Sequence, residues 1–219
     1  MFKQVLVAQW QTSKLAVGLL TLLSFCIPLL AVLYGGDLAG AGRERVGDWL
    51  VAADRVAQFL PFIALLVGLL LGTLAWSADL AGRHVYALSL PLPRGLYVSM
   101  RFGAGALFAT IPGAAMGLSS GIATLAVALP PGIHAYPVEL ALRFWLASLT
   151  VFAIIFAIAG ASRRGQVITI SVIGAAVTLD VVFLLFGVDY SVTAQALLLL
   201  TNWPGPLSLL TGRWALFDV

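Results

Sequence analysis

Gly117-Leu118-Ser119-Ser120-Gly121 has the Gly-x-Ser-x-Gly spacing seen around nucleophilic serines. Such a serine works only with a base close enough to take its proton. The chain has two histidines, His84 and His134, one in each of the polar connections that flank the third long apolar run. Neither is positioned as a base for the serine, and from opposite sides of a membrane the two do not share a metal ion. Cys26 is the single cysteine and lies in the first apolar run, so no intrachain disulfide or cysteine metal site is expected. The only lysines, Lys3 and Lys14, lack the Gly-Lys-Ser/Thr setting of a nucleotide-binding loop, which excludes an ATPase in this chain. Asp180 is the one acid well inside an apolar run. A carboxylate in hydrocarbon is costly and marks a functional position by default. The structural alternative has it protonated or paired, with Arg143 as the partner. Glu139 and Arg143, four residues apart, read as a local ion pair.

The elements that would position these residues are membrane helices. Hydrophobic residues make up 61% of the 219 residues and charged ones 10%, against about 25% charged in a soluble domain. Several windows reach the roughly 20 residues needed to cross ~30 Å of hydrocarbon, whereas a barrel would show short alternating segments. The expected fold is a single all-α polytopic membrane domain over residues 1–219. The net charge of +3 sits at the flanks of apolar runs, where it orients helices, and no nucleic-acid partner is expected.

Residues 1–13 place Phe2, Val5, Leu6 and Trp10 on one helical face, the pattern of an amphipathic helix at the membrane interface. Without a clear cleavage site the following run is expected to be retained as a span. Five spans are expected: Lys14–Tyr34 with Pro28 inside, Val56–Trp76, Phe102–Leu129, a fourth from the Pro130–Pro137 connection to Gly160, and Val167–Val188. Asp48–Asp54 reads as a short surface helix. In the third span Gly105, Ala109, Gly113, Gly117 and Gly121 recur every four residues, a spacing that lets another helix approach closely. In the tail, 189–219, Asn202-Trp203-Pro204-Gly205-Pro206 breaks two short apolar pieces, which suggests a re-entrant or interfacial hairpin. Lys3, Lys14, Arg83, Arg94, Arg101, Arg163 and Arg164 share one side with the single acid Asp79. Arg43, Arg45, Arg55, Arg143 and Arg213 fall opposite with seven acids; seven basic residues against five, two of them in the short Arg163–Arg164 turn, place the N-terminus in the cytosol.

Between the second and third spans, residues 77–99 are longer and more featured than a turn requires. They run Asp79, Gly82-Arg83, an amphipathic stretch, Leu88-Ser89-Leu90-Pro91, Arg94 and Tyr97. In this order and place they resemble the cytosolic coupling loop of ABC-2-type transporter permeases, and the resemblance extends over most of the chain. It implies that residues 1–13 are the family's elbow helix and that a sixth helix would follow the tail.

The resemblance further implies the permease subunit of an ATP-driven transporter, an exporter by analogy with the family, in a bacterial cytoplasmic (inner) membrane. The partners would be an ABC ATP-binding subunit, a second permease subunit (identical or related) and membrane lipids. ATP and magnesium would reside on the ATPase, leaving this chain with no cofactor and no catalysis of its own. Asp79, Gly82, Arg83, Leu88, Pro91 and Arg94 would contact the ATPase, with Arg83 and Arg94 making charge-assisted bonds. The alternatives from other classes are a non-transporting membrane scaffold or accessory subunit and an intramembrane serine hydrolase.

Overall fold

A computed structural model describes residues 2–33, 43–81, 93–127, 129, 131–187 and 190–218. The described chain is mostly helical. Its elements are α1 (Phe2–Leu33), α2 (Arg43–Ala57), α3 (Leu60–Ala81), α4 (Arg94–Ala126), β1 (His134–Ala135), α5 (Pro137–Gly160), α6 (Arg163–Leu185), α7 (Val192–Thr201), a 3₁₀ turn (Ser208–Leu210) and β2 (Phe217–Asp218). Among the described residues, α1, α3, α4, α5 and α6 are long and apolar enough to cross a membrane, which marks the chain as an integral membrane protein.

Several boundaries differ from the sequence reading. Residues 2–13 continue into the first span as one 32-residue helix, because no proline interrupts the chain before Pro28 and the one glycine there, Gly18, falls inside the span. Pro28 has no N–H, so the Ser24 carbonyl loses its donor within α1. Ser119 Oγ of α4 donates to that carbonyl instead at 3.4 Å. The surface helix at 48–54 lengthens to α2, which buries Trp49, Ala53 and Ala57 at a spacing of four. Pro61 explains the break that follows: it denies Ala57 a helical donor and takes its usual place in the first turn of α3. The 77–99 segment is not loop throughout, since α3 runs on to Ala81 and α4 starts at Arg94.

Four helices form the core. Trp10 stacks on Phe108 at 5.4 Å and Ser24 meets Ser119, so α1 and α4 run parallel. Gly68 faces Ser148–Phe152 and Gly72 faces Ile155–Phe156, so α3 and α5 run parallel as well. These two pairs pack antiparallel on each other around Val67, Leu71, Met116, Phe144 and Phe152. The tightest approach is α3 on α5. A Cβ on Gly68 would lie 2.5 Å from Val151 Cβ and 2.7 Å from Ser148 O and Phe152 N. With Gly72 this is a Gly-x-x-x-Gly contact, in which missing side chains let the backbones touch.

At the end of the bundle away from Ala81 and Arg94, the tail knits several elements together. β1 and β2 pair antiparallel, with His134 opposite Asp218 and Ala135 opposite Phe217. Phe217 stacks on Trp49 at 4.8 Å. Arg213 binds Asp218 at 2.8 Å and Asp54 at 3.4 Å, and those acids, Asp218 foremost, raise its pKa above the ordinary arginine value. The break at residues 202–206 is a tight turn in which a Cβ on Gly205 would strike the carbonyls of Leu199 and Leu200.

Helix α6 stands apart. No residue of α6 is buried, and it meets the core through the turn at Ser162, where Gln166 Nε2 donates to the Ala159 carbonyl at 3.1 Å. That bond satisfies one of the carbonyls left free where α5 ends.

Candidate functional site

Of the residues expected to contact an ATPase, Gly82, Arg83, Leu88 and Pro91 lie outside the described residues. Asp79 falls in the last turn of α3, with its side chain also undescribed. Arg94 is exposed at the first position of α4.

The base of the segment is a built structure. Arg101, two turns into α4, is 7% exposed. Its Nε donates to Tyr97 Oη at 2.8 Å and its Nη1 to the Ala75 carbonyl of α3. The guanidinium lies over the Tyr97 ring at 5.2 Å and the Trp76 ring at 5.8 Å. Aromatic faces stabilise a partly desolvated cation, and the planar fork of arginine reaches acceptors in two directions, which lysine does not. Trp76 carries the connection onward: its Nε1 donates to the Phe156 carbonyl of α5 at 2.9 Å. A Cβ on Gly160 would lie 2.6 Å from the same indole. One side chain therefore joins the end of α3 to the start of α4, and its neighbour joins both to α5. The sequence reading placed Arg101 among the orienting charges and missed its burial; the nearby Trp76 and Tyr97 were the available signal.

The small-residue stripe of α4 faces α5 along its length, but unevenly. A Cβ on Gly105 would overlap the Phe152 ring, Ala109 is fully buried, and a Cβ on Gly113 would lie 3.0 Å from Trp145. At Gly117 the distance to Ala141 Cβ is 3.4 Å, and at Gly121 nothing lies within 4 Å. The helices diverge there around an apolar groove of about 470 Å³, with Gly117 and Gly121 on one wall and Pro137, Val138, Ala141 and Trp145 among the residues opposite.

Ser119 and Ser120, in the Gly-x-Ser-x-Gly spacing, are fully buried. Ser119 donates to the Met116 carbonyl at 3.1 Å besides Ser24, and Ser120 to the Gly117 and Pro137 carbonyls at 3.1 and 3.3 Å. Both hydroxyls hold helices together, and His134 is exposed in β1. Among the described residues no three His, Cys, Asp or Glu side chains gather.

Asp180 and Arg143 do not pair. The Asp180 carboxylate accepts from Ser191 Oγ at 2.9 Å, Val192 N at 2.5 Å, Thr193 N at 3.1 Å and Thr193 Oγ1. It thus satisfies the orphan donors at the start of α7, where the helix dipole also favours an anion. Nor does Arg143 pair with Glu139. It donates to the carbonyls of Leu209 at 3.1 Å, Arg213 at 2.7 Å and Thr211, and lies 4.8 Å over the Trp214 ring. The unpaired carbonyls of the tail outcompete a solvated carboxylate, and in both cases the true partners are backbone groups that side-chain charge matching does not reveal.

Neither these groups nor the serines form an acid–base or nucleophilic set. The arrangement ties helix ends to one another, most tightly where Arg101 and Trp76 join the end of α3, the start of α4 and α5. Comparison of the chain with models of protein families, with curated proteins and with solved structures found no match in any of the three.

Proposed function

We propose that this chain is the membrane-spanning permease subunit of an ABC-2-type transporter, driven by separate ATP-binding subunits and paired with a second permease subunit. The observation that carries the reading is the patterned segment from Asp79 to Tyr97, set between two helices of one close-packed core. The described ends of the segment, Ala81 of α3 and Arg94 of α4, belong to helices joined by Arg101, a suitable place to receive a push from a soluble partner. Lys3, Arg94, Arg163 and Arg164 lie at the same end of the helices, whereas Arg55, Arg143 and Arg213 share the other with Asp54, Glu139 and Asp218. With the basic residues of the chain divided seven to five, two of the seven in the short Arg163–Arg164 turn, the positive-inside rule favours a cytosolic end at Arg94. The tail and α2 then cover the outer face, with 189–219 as an interfacial or re-entrant element. The membrane is a bacterial cytoplasmic membrane in this reading, and the direction of transport is export by analogy with the family.

Isolation of the tagged chain from its native membrane in mild detergent tests this directly. An ATP-binding protein should accompany it. Replacing Arg83 and Leu88 together should leave the chain inserted and its thermal stability unchanged, while recovery of that protein falls about tenfold or more, as loss of central interface contacts produces. Undiminished recovery would refute the assignment of the segment.

A further inference from the structure

We propose that the polar pocket between the first turns of α5 and the tail binds the headgroup of a phosphoethanolamine lipid, with its phosphate on Arg143 and Arg213 and its ammonium on Glu139. The permease reading is not needed for this inference. The cavity measures about 180 Å³ and has Tyr136, Glu139, Arg143, Arg213, Trp214 and Asp218 in its walls. Opposite charges four apart on a helix ordinarily pair. Here the tail carbonyls hold the Arg143 guanidinium instead. Among the described residues, a carboxylate without a cation and a guanidinium without an acid therefore line one cavity.

The unused bonding capacity matches both ends of such a headgroup. A guanidinium carries five N–H groups. Arg143 commits three to the carbonyls of Leu209, Arg213 and Thr211, and Arg213 commits two to Asp54 and Asp218. The remaining N–H groups have no described partner and suit phosphate oxygens, which arginine binds two at a time. The Glu139 side chain, exposed in the first turn of α5, also has no described partner and can accept from a primary ammonium. A trimethylammonium has no N–H to donate and is held instead by an aromatic cage. Trp214 already carries Arg143 over its ring, so no cage is on offer. An anionic headgroup without an amine also fits worse, because Asp54 and Asp218 already balance Arg213 and Glu139 would be left unmatched.

The position is that of a lipid headgroup. Arg143 stands six residues after Pro137 in α5, roughly 9 Å below the start of the helix, with Tyr136 and Trp214 beside it as at a membrane interface. Below Glu139 on the same face, Leu142 and Leu146 are 52% and 40% exposed, and Leu142 is also a wall of the apolar groove. Acyl chains hung from the pocket meet apolar surface there.

Native mass spectrometry of the full chain, purified in mild detergent and stripped of lipid, tests the site. The protein is offered an equimolar mixture of phosphatidylethanolamine, phosphatidylcholine and phosphatidylglycerol with the same dioleoyl chains. One phosphatidylethanolamine should be retained about tenfold more than either competitor, the scale of one charge-assisted hydrogen bond. Glu139→Gln keeps the shape and breaks no described bond, so it should abolish that preference at a parental melting temperature. A parent without the preference, or a preference that survives Glu139→Gln, would overturn the proposal. A primary-amine lipid with the same chains and no phosphate probes the arginines without altering residues that hold the tail. It should bind about tenfold more weakly than phosphatidylethanolamine, and equal binding would remove the arginines from the site. Glycerophosphoethanolamine, the headgroup without chains, separates a lipid from a free solute. It should fail to displace the lipid at equal concentration, and equal affinity would make this a site for a soluble zwitterion and overturn the lipid assignment.

Discussion

Helices α3, α5 and α6 are similar in length, at 22, 24 and 23 residues, and all are strongly apolar, yet α3 and α5 are locked together while α6 touches the core only at its turn. Hydrophobicity therefore does not separate them, because lipid tails are as apolar as leucine and offer no drive for one span to leave them for another. What α3 and α5 have, and α6 lacks, is backbone approach at Gly68, Gly72 and Gly160 together with a polar bond from Trp76 across the gap. Helix α6 does contain a glycine, Gly174, but a Cβ there would meet nothing within 4 Å. Its strongest polar bonds, from Asp180, run to α7. The core holds through close contact; the α6–α7 hairpin holds through one carboxylate.

Gly68→Leu should break this contrast most severely. The new side chain would meet backbone atoms of α5, which have no rotamer to yield. A loss of roughly 3 kcal/mol, about 10 °C in detergent, is expected, with Gly174→Leu within about 0.5 kcal/mol of the parent. Equal melting temperatures for the two would contradict the packing account.

Within the α4–α5 seam the same reasoning predicts a gradient. Gly113→Leu, against Trp145, should cost about 1–3 kcal/mol. Gly121→Leu, facing open groove, should stay within about 0.5 kcal/mol. A larger penalty at Gly121 would mean that the groove closes on a partner in the assembled protein.

Asp180→Ala should leave the melting of the core unchanged and free the start of α7. Hydrogen exchange of the Val192 and Thr193 amides should accelerate about tenfold, the equivalent of roughly 1.4 kcal/mol and within the range for a lost cap. Exchange that stays slow there would show that the carboxylate is dispensable.

The smallest effect has the opposite sign. Gln9 is buried on α1, and its Oε1 has no partner among the described residues. Gln9→Met keeps the shape and removes the unpaired acceptor, so thermal stability should rise by about 1 kcal/mol; a fall would place an unseen donor beside it.

The spans themselves were readable because each is a run of apolar residues of crossing length, a signal that needs no tertiary partner. The stripe from Gly105 to Gly121 was readable as a face for helix packing but not in its gradient, which depends on Phe152, Trp145 and Ala141 coming from another helix. Gly68 and Gly72 were missed although Gly-x-x-x-Gly is visible in the sequence, since an unbroken apolar run draws attention to its ends. Charged residues misled most. Arg94 and Arg101 suggested loop and orienting charge, but α4 includes both and buries the second against Trp76 and Tyr97. Asp180 and Arg143 suggested each other, but their partners are turns and backbone groups that only the folded chain brings near.

The central claim is that the 82–92 end receives an ATPase, and site-specific photo-crosslinking tests it most directly. A photoreactive residue in place of Arg94, exposed at the first turn of α4, is compared with one in place of Val138 at the opposite end, in intact cells. The account predicts a crosslink to an ATP-binding protein from position 94 and none from position 138. A crosslink to such a protein from position 138 alone, or from neither position, would contradict it.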